Sequence, residues 1–285
     1  MLRHLGGLAA DVGNYGQAAA DYAESRALTE QLGDRLAVGW LLAQQGRLAQ
    51  VQGDLAGAQT LLERGLALTR ELGDRRGAAW NLSALGNLLR VAGDYDQAQT
   101  LLLEALPIFE AIGDTPGQGN VIHHLGHLAV ARNELQAARR QYESCLATFR
   151  ACGADALVGI ATGDLANLAW LEGDGDRARA LWRDALPLLR RQADNNWAAR
   201  WALANVGSLL IHCGQHAEGT HLLAAAETTQ PAFWASIDPD ERANAEAALA
   251  AARAALGETT FAAVRAAGGD LAPNQAIARA LLALD

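Results

Sequence analysis

The run His123-His124-Leu125-Gly126-His127 is the densest group of metal-ligating side chains in the sequence. On a helix His123 and His127 stand one turn apart on one face, the spacing at which two imidazoles can meet one ion. Two ligands are too few for a stable site, and no Glu lies between them, so the Glu-bearing metalloprotease motif is absent and no metal is expected. As hydrogen-bond donors the same imidazoles, with Arg90, better fit a peptide carboxylate or a phosphate. The three cysteines, Cys145, Cys152 and Cys213, are odd in number and have no metal-like spacing, so they read as small buried or half-buried apolar residues. No Gly-x-Ser-x-Gly elbow occurs, and paired carboxylates fall mainly at expected helix caps. No catalytic residue is assigned, and the chain is read as a non-enzyme. All 23 basic residues are Arg, so a phosphate loop with its Lys cannot form, and neither a nucleotide nor any other cofactor is expected.

The candidate binding residues recur at intervals of forty. One column is Trp40, Trp80, Asn120, Ile160 and Trp201, and another is Arg47, Asn87, His127, Asn167 and Ser208. Neighbouring columns add Gln44, Arg90, His123, His124, Asp164, Trp170, Asn205 and His212. Side chains that donate and accept, interleaved with Trp, suit an extended peptide. The resulting partner-binding set is Trp40, Gln44, Arg47, Trp80, Asn87, Arg90, Asn120, His123, His127, Asn167, Trp170, Trp201 and Asn205. Two other roles stay open: Trp40, Trp80 and Trp201 pack between successive repeats, or Arg47, Asn87 and Asn167 form a solvated face.

The elements that must carry these columns announce themselves by punctuation. Leu32-Gly33-Asp34, Leu72-Gly73-Asp74 and Ile112-Gly113-Asp114 return every forty residues, with a worn copy at Gly153-Ala154-Asp155. Half a period away stand Gly13-Asn14, Gly53-Asp54, Gly93-Asp94 and Gly173-Asp174, then Gly214-Gln215 one residue late. Each marker pairs a Gly that can close a helix in the left-handed conformation with a polar residue that can cap the next one. Such short turns make the paired helices antiparallel neighbours, helix A then helix B. In the clearest repeat, helix A is expected from about Arg75 to Val91, and helix B carries a stripe at Ala98, Leu101, Leu102, Ala105 and Ile108. Small residues recur where the helices cross: Gly6, Gly46, Gly86, Gly126, Ala166, Gly207, and Ala18, Ala58, Ala98, Ala138, Ala178, Gly219. Tyr22, Leu62, Leu102, Tyr142, Trp182 and Leu223 form the complementary large column, so layers should interlock.

This order of residues, with Leu-Gly pairs at Leu5-Gly6, Leu85-Gly86 and Leu125-Gly126, resembles the tetratricopeptide repeat. Two departures are the forty-residue period and the missing closing Pro; Pro107 and Pro187 fall earlier in their repeats. HEAT-type arrays share the longer period and lack the Gly/Ala ladder. The resemblance implies an all-α, right-handed α-α superhelix of about six two-helix repeats with a C-terminal helical cap. Its expected boundaries are repeats at about 1–33, 34–73, 74–113, 114–153, 154–194 and 195–229, then a cap at 230–285. The long-period variety, and the helices after Pro239, resemble the sensor arrays of bacterial signal-transduction ATPases and of LuxR-type or antibiotic-regulator-type activators. That implies a protein- or peptide-binding module in a regulatory system, with helix A and its candidate columns on the inner, concave face of the array, and a passive scaffold as the alternative.

Composition fits this reading. A net charge of -9 and no visible basic cluster argue against nucleic acid as a partner of this chain. No apolar run is long enough for a membrane span, no basic leader precedes one, and a cytoplasmic location is expected. The first helix, about Leu2 to Val12, is short, so the chain reads either as a piece of a longer protein or as a standalone array with a trimmed end. Oligomeric state and the partner's identity do not follow from the sequence.

Overall fold

The computed structural model describes residues 6–7, 9–10, 14–190, 197–227 and 233–285. The helix expected at the amino terminus lies largely outside the described residues, although positions 6, 7, 9 and 10 are helical. The described chain is all-α, as the punctuation predicts, and it divides into two compact units, Met1–Gly153 and Ala154–Asp285.

Unit 1 contains α1 (Tyr15–Gln31), α2 (Arg35–Val51), α3 (Leu55–Glu71), α4 (Arg75–Val91), α5 (Tyr95–Ile112), α6 (Thr115–Ala131) and α7 (Leu135–Ala151). The pairs α2/α3, α4/α5 and α6/α7 are antiparallel hairpins. Each turn works as its residues predict. Gly53, Gly73, Gly93 and Gly113 take φ between 68° and 87°, and the acidic residue after each caps the following helix. Asp74 Oδ1, for example, accepts the Gly77 N–H at 2.9 Å. Between α6 and α7 no Gly is present, and Asn133 takes the left-handed position at φ 58°. Asn tolerates that region because its short amide can bond locally.

Close crossing explains the Gly column. A Cβ on Gly86 would lie 2.8 Å from Leu102 Cγ and 3.2 Å from the Ala98 carbonyl oxygen. Gly46 faces Leu62, and Gly126 faces Tyr142, in the same way. Helix propensity of about 1 kcal/mol is therefore forgone to bring the backbones together. The A helices touch one another, α2 with α4 and α4 with α6, and so form one continuous layer within this unit. Ion pairs link one repeat to the next, including the exposed Arg70–Glu104 at 2.5 Å and the exposed Arg76 with the buried Asp114 at 2.8 Å.

Unit 2 holds the hairpins α8 (Asp155–Leu171)/α9 (Gly175–Arg190) and α10 (Trp197–His212)/α11 (His216–Glu227). A short 3-10 turn at Phe233–Ser236 leads to α12 (Pro239–Leu256), α13 (Glu258–Gly269) and α14 (Pro273–Leu284). α12 lies against α10 and α11, α13 against α11, and α14 against α9, α10 and α11. Their buried faces are mostly small with a few large apolar side chains: Ala245, Ala248 and Ala252 on α12, Phe261 on α13, and Ala276, Ile277, Ala280 and Leu284 on α14. Arg279 and Glu218 form a two-pronged pair that fixes α14 to α11.

The cysteines differ from expectation. Cys145 is buried, whereas Cys152 and Cys213 are exposed. Both precede a turn Gly, at helix ends where no neighbouring helix covers them.

Candidate inner-face binding site

Every candidate residue sits on an A helix. In unit 1, Trp40, Gln44 and Arg47 belong to α2, Trp80, Asn87 and Arg90 to α4, and Asn120, His123 and His127 to α6. In unit 2, Asn167 and Trp170 belong to α8, and Trp201 and Asn205 to α10.

The unit 1 set is rich in donors. Asn87 Oδ1 accepts two bonds from Arg90, from Nε at 3.1 Å and from Nη2 at 3.0 Å, while the Asn87 amide N–H groups have no partner among the described residues. Asn120 Oδ1 likewise accepts the Ser83 hydroxyl at 2.8 Å. Arg47 is exposed and has no hydrogen bond or ion pair among the described residues. On α6, His123 Nε2 and His127 Nε2 meet at 3.1 Å, and the Tyr142 hydroxyl of α7 lies 3.2 Å from His127 Nδ1. Within unit 1 this pair offers two imidazole nitrogens to an ion, short of the three or four that a zinc site uses.

Positive charge gathers around His124. Burial first, then the neighbouring His123, His127, Arg90 and Arg47, hold its imidazole well below its ordinary pKa of 6.5. Its Nδ1 is buried and makes no hydrogen bond. The Arg47 and Arg90 guanidiniums near this imidazole would attract an added carboxylate.

The Trp column is divided by the acceptors available to each indole. Trp40 is half-buried, and its Nε1–H donates at 3.0 Å to Asp74 Oδ2, the cap of the next A helix. Trp80 is half-buried with its ring edge-on to Phe109 at 5.2 Å, and its N–H has no partner among the described residues. Trp201 corrects the sequence reading. It is only 2% exposed, stacks near Trp197 and Trp182, and donates to Glu241 of α12 at 3.0 and 3.1 Å. It cannot contact a partner while α12 is in place. Asn167 Nδ2 also donates to Glu241, at 3.1 Å, and to Asn205 Oδ1 at 3.1 Å. Trp170 rests on His212, ring centroids 5.6 Å apart.

Two participants escaped the sequence reading. Tyr142 looked like a packing residue in the large column, and Glu241 lay in the cap. Only the pairing of α7 with α6, and of α12 with α10, brings them to the inner ladder.

Residues 75–151, spanning α4 to α7, match the tetratricopeptide repeat family. That segment carries the tetratricopeptide repeat. The fold of the chain is similar to that of a Rap protein complexed with Competence and Sporulation Factor, with a TM-score of 0.64 at 14% identity, covering 99% of this chain and 73% of that one. BtubC (BKLC) from P. vanneervenii gives a TM-score of 0.54 at 20% identity over 85% of this chain and 92% of that one. A signal-transduction ATPase with numerous domains and a tetratricopeptide repeat sensor, from Pyrococcus horikoshii, gives 0.57 at 16% identity. That match covers 94% of this chain and 44% of the ATPase. At these identities the likeness is one of fold. None of the curated proteins matches the sequence.

Proposed function

We propose that the chain binds a protein or peptide partner through the inner face of unit 1, and that the partner presents an acidic group to Arg47, Asn87, Arg90 and the imidazoles of α6. The observation that carries this reading is that the exposed Arg47 guanidinium and the Asn87 amide N–H groups, on neighbouring A helices, have no partner among the described residues, in a chain whose overall charge is -9. Repeat arrays of this kind are protein-interaction modules, and the Rap relative is itself complexed with Competence and Sporulation Factor. A regulatory role is the preferred context, as the partner-sensing part of a larger system, since one relative in fold is an ATPase with a repeat sensor. Neither catalysis nor nucleic-acid binding is part of this reading, and no helix among the described residues is long and apolar enough to cross a membrane.

The test is selection of peptides from a random displayed library on the purified chain, repeated on Asn87→Ala/Arg90→Ala/His127→Ala after matching thermal stability. Peptides enriched in Asp, Glu or a free carboxyl terminus, and lost on the triple variant, support the site. Selected peptides that are neutral, or that bind both proteins equally, would overturn it.

A further inference from the structure

Unit 2 contains a worked example of what its A-helix ladder accepts. Helix α12 lies on α10 and presents Glu241, in its first turn, to the Trp201 indole N–H and to the Asn167 amide. Glu241 shares a stripe with Ala245, Ala248 and Ala252, four, seven and eleven residues further on, and all three alanines are buried. Spacings of four, seven and eleven lie on one face of a helix, so the docked face carries one carboxylate followed by three small side chains, flanked by the partly buried Leu249 and Leu256. Small residues let the helix approach the ladder closely, and the carboxylate satisfies the Trp201 N–H, a donor otherwise buried without an acceptor.

The repeat carries the same receptor into unit 1. Stepping back through the columns, Asn167 corresponds to Arg47 and to Asn87, while Trp201 corresponds to Trp80 and to Asn120. The pair Asn167/Trp201 therefore has two counterparts one repeat apart, Arg47/Trp80 and Asn87/Asn120. In both, the free groups are donors: the Arg47 guanidinium and Trp80 indole N–H have no partner among the described residues, and both amide oxygens are already occupied. No element described in unit 1 covers Arg47, which is exposed.

We propose that the inner face of unit 1 takes a helix from a partner, docked as α12 docks in unit 2, with a carboxylate held between Arg47 and Trp80 and a stripe of small residues four, seven and eleven positions later. A second acidic side chain on that helix would meet Asn87 and Asn120, with Arg90 beside them. The proposal rests on the reading of unit 1 as the acid-binding face and specifies the conformation and pattern of what binds.

The probe is a synthetic peptide with the sequence of residues 239–256, made helical by a covalent bridge between the exposed positions 243 and 247, titrated into the full chain by fluorescence anisotropy. Three comparisons accompany it: the same peptide with Glu241→Gln, an unbridged peptide with Ala247→Pro and Ala250→Pro that keeps its charges but not its helix, and the protein variant Arg47→Gln/Trp80→Phe. In that variant an aromatic ring still faces Phe109, and an unchanged thermal midpoint confirms the fold. Saturable binding of the bridged peptide is expected, weakened about tenfold or more by Glu241→Gln in the peptide or by the protein variant, from loss of a charge-assisted hydrogen bond. Absence of binding by the bridged peptide, or equal binding by its Gln form or by the protein variant, would overturn the helix proposal. If instead the proline-broken peptide binds as well as the bridged one and is lost with Arg47→Gln/Trp80→Phe, the acid-binding face stands and the helix proposal falls. If acidic peptides of neither form bind, both readings fail.

Discussion

Removing the Glu241 carboxylate should loosen α12 from its ladder, and the size of the effect can be worked from the contacts. Trp201 is 2% exposed, so without Glu241 its N–H has no route to water and stays unpaired. An unsatisfied buried donor costs about 1–3 kcal/mol. Loss of an acidic residue from the first turn of α12 adds about 0.3–1 kcal/mol through the helix dipole, while the better helix propensity of Ala returns a few tenths. Glu241→Ala should therefore destabilise unit 2 by about 1–4 kcal/mol. Glu241→Gln keeps an acceptor and should cost about 0.5–1.5 kcal/mol. Urea unfolding followed by circular dichroism gives the free energies, and the Trp201 indole resonance in nitrogen–proton spectra reports the local bond. The cycle with Trp201→Phe isolates the pair, since Phe removes the donor, and should show coupling of about 1–2 kcal/mol. A Glu241→Ala loss below about 0.5 kcal/mol, or no coupling in the cycle, would refute the claim that this carboxylate holds the cap helix to the ladder.

Other consequences follow from single contacts. Gly219→Ala should destabilise by about 1–3 kcal/mol in thermal unfolding, because the added Cβ meets the Gly207 carbonyl oxygen, a backbone atom that cannot swing aside; an unchanged midpoint would mean the α10/α11 crossing is looser than it looks. Asp74→Ala should cost more than Asp34→Ala, by about 0.5–1.5 kcal/mol in the same assay, because Asp74 caps α4 and also accepts the Trp40 indole, whereas Asp34 serves as a cap for α2. Stability should fall with pH below about 6.5, the ordinary imidazole value, because the folded chain resists protonating His124, chiefly through burial, while the unfolded chain accepts the proton freely. His221 in unit 2 acts in the same direction, lowered first by burial and then by Arg279, with Glu218 opposing. His124→Gln should flatten the slope of unfolding free energy against pH measured below 6.5, and an unaltered slope would remove His124 from that account.

What the sequence disclosed is what depends on neighbours a few residues away. A Gly that closes one helix and an Asp that caps the next act within one turn of chain, so α4 and α5 begin and end where the markers at Asp74, Gly93, Asp94 and Gly113 put them. The described turn between α6 and α7 has no Gly to signal it, and only the backbone shows Asn133 at positive φ. Column counting also placed the small residues correctly against the large ones, because crossing helices repeat their contacts with the period of the chain. It could not tell which polar residues remain available. That depends on partners at long separation: Asp74 for Trp40, Glu241 for Trp201 and Asn167. The cysteines failed for a related reason. Cys152 and Cys213 are apolar enough for a core, yet a helix end beside a turn Gly offers no core to enter.

The Trp column shows how one repeated position can serve both scaffold and site. Residue type is the same at 40, 80 and 201, so the difference lies in the acceptor each indole meets. A buried indole N–H needs an acceptor, and Trp201 has one in Glu241, while the half-buried Trp40 has one in Asp74. Trp80 has neither, and its ring is held by the edge-on contact with Phe109 alone among the aromatic pairs. Replacing each by Phe should therefore separate the roles. Trp80→Phe removes a donor with no partner and should change stability by less than about 0.5 kcal/mol beyond its packing loss. Trp40→Phe breaks the bond to Asp74 and should cost about 1 kcal/mol more than that, and Trp201→Phe, which also opens space in the core, should cost the most. For partner binding the order should reverse, with Trp80→Phe alone weakening an acidic ligand. Equal stability losses at all three positions would show that the column is packing throughout, and the inner face of unit 1 would then have no indole to offer.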